Sequence, residues 1–154
     1  MNWANNNDVS EYLKDLCGKH ISTPTYLPVE LDKSAIDILN KVGYTPTIIL
    51  DDVSEGTTLT DANYQVETST IIFFVLQDTK PGNSINYNPI LESCKKIAKD
   101  IIARILVENE DNELMQVASS KIEDVKEVNG SLYGSMVELV IRGNLLEYDE
   151  SVWE

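Results

Sequence analysis

His20 is the only histidine of the chain, so imidazole chemistry has one residue to work with. It lies just after a predicted helix, beside Gly18, with no cysteine pair or paired carboxylate next to it in sequence. That setting reads as a helix-end residue, and no serine–histidine–aspartate set can be nominated around it. Asp51 and Asp52 are the next candidates. Adjacent residues of a strand point to opposite faces, so the pair reads as a polar strand end. The run Glu108-Asn109-Glu110-Asp111-Asn112-Glu113 has the composition of a cation-liking loop, but it lacks the spacing and the central glycine of an EF-hand. There is no HExxH and no CxxC, and none of the seven glycines belongs to a phosphate-binding loop. Basic residues interleaved with aromatics, as in single-strand binders, are missing too. The sequence therefore predicts no catalytic residue, no metal, no cofactor and no small-molecule substrate. An enzyme of dispersed carboxylates is the reading ranked last; it would need a deep pocket around a carboxylate of raised pKa.

The bulk properties point the same way. The chain has 154 residues, the size of one ordinary domain. Apolar residues make up 42% of it. The longest apolar run, Ile71 to Leu76, is far short of the roughly 20 residues that span a bilayer, and the first twelve residues do not read as a secretory signal. Asp and Glu number 26 against 12 Lys and Arg, a net charge of −14. Such a surface repels phosphate backbones and anionic membranes, so neither nucleic acid nor membrane is expected as a partner. Cys17 and Cys94 fall at apolar positions of predicted helices and read as buried free thiols.

The elements that would position these residues can be traced along the chain. Residues 1–7 read as a loose arm. A helix starts at Asp8 as N-cap, with Glu11 three residues on, and runs to about Cys17 with Gly18 as its stop. Val9, Tyr12, Leu13 and Leu16 share one face of it. The stretch from Ile21 to Val29 reads as extended or loop, and Ser34 to Val42 as a short helix ended by Gly43, with a strand as the alternative. Thr47 to Leu50 is a short strand closed by the acidic pair, and Val53 to Asn63 is a polar loop. Tyr64 to Gln77 is a strand, covered on both faces in its second half, and Lys80-Pro81-Gly82-Asn83 turns the chain. Asn88 caps a long helix with Pro89 at its first position. Its stripe is Ile90, Cys94, Ile97, Ala98, Ile101, Ile102, Ile105 and Leu106. Ile97, Ile101 and Ile105 are expected to pack on Phe74, Leu76, Val137 and Leu139. Finally, Leu114 to Val128 and Ser131 to Arg142 flank Asn129-Gly130, a strong hairpin signal. The three-residue spacing of Ile122, Val125 and Val128 predicts a bulge or a helical turn in the first arm. Residues 143–154 read as an acidic tail. The fold class is α+β, one domain over 1–154, with a largely antiparallel or mixed sheet, one long amphipathic helix on one face and an N-terminal helix.

This succession is a helix, a β pair ending in Ile71 to Leu76, a long amphipathic helix and a final hairpin. Its last part contains Tyr133-Gly134, Val137 to Ile141, Leu146-Glu147-Tyr148-Asp149 and Trp153. Over residues 8 to 154 it resembles the tail terminator and tail-completion proteins of tailed bacteriophages. The resemblance implies a virion structural protein, not an enzyme, assembled in the host cytoplasm. It would form a homo-oligomeric ring at the tail end or the head-to-tail junction and contact other neck or tail proteins. Trp3, Tyr148 and Trp153, large aromatics near the chain ends, are the predicted partner-interface residues. The alternative is a small monomeric acidic adaptor that binds a protein or peptide. Oligomeric mass separates the two.

Overall fold

A computed structural model describes residues 6–27, 35–61, 64–79, 87–110, 116–145 and 151. Eight elements follow in order: α1 Asn6–Lys19, β1 Thr25–Leu27, α2 Ala35–Leu39, β2 Thr47–Asp61, β3 Tyr64–Asp78, α3 Asn88–Glu108, β4 Gln116–Val128 and β5 Leu132–Leu145. The five strands form one mixed sheet in the order β1-β2-β3-β5-β4. β1 runs parallel to β2, and every other neighbouring pair is antiparallel. This is the expected α+β class.

Strand alternation divides the apolar side chains between two cores. On one face Ile48, Leu50, Ile71, Phe73, Val75, Val137, Leu139 and Ile141 meet both long helices, through Val9, Leu13, Leu16 and Cys17 of α1 and Cys94, Ile97, Ala98, Ile101 and Ile105 of α3. On the other, Ile49, Leu76 and Leu132 meet Ile38 and Val42 from α2 and the turn after it, with Phe74 packed beside them. The partners of the α3 stripe are thus Phe73 and Val75, not the expected Phe74 and Leu76. The run from Ile71 to Leu76 is apolar throughout, so composition gives no parity, and the helix side is fixed only by packing. α1 lies on the same face as α3, and α2 supplies the cover on the opposite face.

Several boundaries move. α1 begins at Asn6, so the last two residues of the expected arm are helical, and Asp8 lies in the first turn, where its charge suits the helix dipole. The helix continues through Gly18 to Lys19, held by the Lys19–Asp15 ion pair at 2.6 Å. Asn88 is the first helical residue of α3 rather than its cap; Tyr87 holds the cap position, and Leu91 N–H donates to its carbonyl at 2.9 Å. The stripe also includes Leu91, which is buried, whereas Leu106 is 47% exposed. The largest change is in β2. The expected loop from Val53 to Asn63 is strand as far as Asp61, in register with β3 from Val53↔Ile71 to Asp61↔Tyr64. Pairing with β3 overrides the weak strand propensity of Asp52, Ser54, Glu55 and Gly56. Asp51 is the extra residue of a bulge between Leu50↔Phe73 and Asp52↔Ile72, so it marks an irregularity inside a strand and not the strand's end. β5 likewise runs to Leu145, opposite Val66, and takes up the start of the expected tail.

The β4–β5 hairpin turns at Asn129 (φ 50°) and Gly130 (φ 86°), the left-handed conformations these residue types tolerate best. The predicted bulge in β4 lies between Val125↔Gly134 and Val128↔Leu132. It explains the spacing by three. Ile122 faces the helices and Val125 the other core, and the extra residue returns Val128 to the side of Val125. Gly134 is required by a close approach: a Cβ there would lie 1.8 Å from the Val75 carbonyl oxygen of the neighbouring strand. The turn at residues 80–83 lies outside the described residues.

Candidate functional site

The predicted interface residues Trp3, Tyr148 and Trp153 lie outside the described residues. What the fold brings together instead is the end of α1 and the middle of α3. Their side chains line a groove of about 300 Å³ formed by Leu16, Lys19, His20, Ile21, Asp100, Ile101 and Arg104. His20 is one of the lining residues. Ser22 N–H donates to Nδ1 at 3.0 Å, which leaves the proton on Nε2, and that nitrogen lies 2.9 Å from Asp100 Oδ2. Both ring nitrogens are therefore engaged. The carboxylate partner comes from 80 residues along the chain, which is why the sequence places none beside the histidine. The bond holds the Asp100 carboxyl below its ordinary range, with the charge of Lys96, 3.4 Å away, adding to the effect.

The residues that line the groove include no hydroxyl or thiol nucleophile. The geometry describes a clasp: an imidazole pins the chain leaving α1 onto α3 and leaves the Ile21 side chain, 97% exposed, at the rim. A second tie lies one end further along the same helix pair. The Tyr12 hydroxyl donates to Glu108, and Arg104 Nε donates to the other oxygen of that carboxylate at 2.6 Å. Burial and the Glu108 bond raise the Tyr12 pKa, and the same bond, with Arg104, lowers that of Glu108. Glu108 is thus committed to structural contacts. Asn109 closes α3, its side-chain amide donating to the Ile105 carbonyl at 2.8 Å. Residues 111–113 of the acidic run lie outside the described residues, and no group of three or more metal-type ligands occurs among those described.

Cys17 and Cys94 are free and buried in the helix-side core, and burial pushes both thiols up to about 12. At neutral pH they are protonated and packed, as structural cysteines are. Tyr87 and Tyr133 stack with ring centroids 3.8 Å apart and planes 11° from parallel, which fixes the start of α3 against β5.

No protein-family model matches this chain, and a search of curated proteins finds no match to it.

Proposed function

We propose that this chain is a non-enzymatic structural subunit of a tailed-phage particle that assembles into a homo-oligomeric ring at the tail end or the head-to-tail junction. The observation that supports the reading is the form of the sheet. Both long helices lie on one face, and the paired strands β2 and β3, each 15 residues long, carry on well past the buried residues Leu50 and Ile71. From Asp52 to Asp61 the ribbon extends for about 30 Å at the usual rise of a strand. The paired backbone of this ribbon runs on beyond the strand residues of the helix-side core, and assembly gives it a use. The net charge of −14 suits a ring that lets DNA pass without holding it. Trp3, Tyr148 and Trp153 would serve as aromatic anchors into neighbouring copies or other neck and tail proteins.

The test is light scattering over a concentration series, repeated with residues 1–5 and 149–154 removed. The expected result is a closed oligomer in the full chain and weaker association in the trimmed one. A monomer at every concentration, with no ring in the assembled particle by electron microscopy, overturns the reading. The groove beside His20, with Ile21 exposed at its rim, favours the second reading, a monomeric adaptor that binds an extended peptide.

A further inference from the structure

Neighbouring strands β2–β3, β3–β5 and β5–β4 are all antiparallel. β2 and β5 therefore run one way, and β3 and β4 the other. Among the described residues no strand lies outside β4, and β1 accompanies β2 only from Thr47 to Ile49. Among the described residues the sheet thus has two long open edges, 50–61 of β2 and the whole of β4, whose strands run in opposite directions. An open edge presents unpaired N–H and C=O groups and is a template for another strand.

We infer that the open edge of β4 in one copy pairs with the open edge of β2 in the next, so that the sheet continues head-to-tail around the ring. This inference rests on the ring reading above. The directions fit without adjustment: β4 laid beside a neighbour's β2 is antiparallel, and the alternation that runs from β2 to β4 within one copy continues into the next. The lengths fit as well. Bulges interrupt β4 between Val117 and Ser119 and between Val125 and Val128, leaving 119–125 as its regular stretch. Bulges interrupt β2 between Leu50 and Asp52 and between Leu59 and Asp61, leaving 52–59. The two stretches are nearly equal. A bulge at each end also limits how far the strands can slide, so the irregularities that usually discourage edge pairing here define its register. Opposite edges of one body give a heterologous contact, which closes into a ring when the rotation between copies divides the circle.

Four single substitutions test this: Ser119→Pro and Ser120→Pro in β4, and Ser54→Pro and Glu55→Pro in β2. Consecutive strand residues direct their N–H groups to opposite sides, so one member of each pair blocks the outer edge and keeps every bond to its own sheet. Thermal melting identifies that member, because it unfolds near the wild-type temperature. Light scattering is then read on the two folded variants, alone and mixed. The expected result is that each alone is monomeric at concentrations where the wild type is a ring. Mixed together they form a species of two copies and nothing larger, because each retains one usable edge. Wild-type rings from both folded variants overturn the inference and leave the ring reading intact. A dimer that survives the β2 substitution and is lost with the β4 one overturns the head-to-tail arrangement. A wild-type chain that never associates, with no ring in the assembled particle by electron microscopy, removes the inference together with the reading it rests on.

Discussion

Ile101 stands in the middle of the α3 stripe, 2% exposed, among Phe73, Val75, Val137 and Leu139 in one core. Close-packed side chains have little room to collapse into a vacancy, so removing three carbons there leaves a cavity. Ile101→Ala is expected to lower the unfolding free energy by about 2–5 kcal/mol, read from denaturant titration with an unchanged slope. A loss below about 0.5 kcal/mol, the level of an ordinary surface change, would place the stripe in solvent or against a partner. Ser135 belongs to the same strand face, and its buried Oγ has no hydrogen-bond partner among the described residues.

Between elements, the α1–α3 pair is tied by two carboxylates. Asp100 holds His20, and Glu108 holds Tyr12 and Arg104. Both carboxyl groups have folded-state pKa values below their ordinary ones. A depressed carboxylate stabilises the fold at pH above its unfolded pKa, and that contribution is lost as pH falls through the folded value. Asp100→Ala is therefore expected to lower stability near pH 7 by up to about 1 kcal/mol, a small amount because the side chain is 38% exposed. The difference from wild type should hold down to roughly pH 4 and vanish as the pH falls further. Thermal melts of both proteins from pH 7 to pH 2 measure it, and a difference that persists at pH 2 would show that the residue acts through packing and not through its charge.

The whole molecule carries a net charge of −14, so bringing copies together works against a long-range repulsion. Salt shortens the range of that repulsion, from a Debye length of about 10 Å at 0.1 M to about 3 Å at 1 M. Strand pairing and aromatic anchoring depend on contacts that salt does not screen in this way. Self-association is therefore expected to strengthen severalfold between low and high salt, as measured by sedimentation or light scattering. A fall in association with added salt would mean that attractive ion pairs drive it, and would favour a docking surface built on charge.

The local signals in the sequence carried the α+β class, both long helices, the central strand and the Asn129-Gly130 turn. Each of these follows from spacing or turn chemistry within a short window: apolar residues three and four apart in α1 and α3, the unbroken run in β3, and a dipeptide that accepts positive φ. The predicted bulge in β4 was legible for the same reason. Three features depended on contacts between distant segments. Which side of β3 meets α3 was set by packing, because an all-apolar run has no polar face to orient it. The extension of β2 through Val53 to Asp61 came from its pairing with β3, a partner that polar residues do not announce. The pairing of His20 with Asp100 joins residues 80 positions apart, and neither has a neighbour in sequence that would signal the other. Periodicity records the face that a single element buries; only the folded chain decides which elements meet, because that choice is made by the sum of many nonlocal contacts.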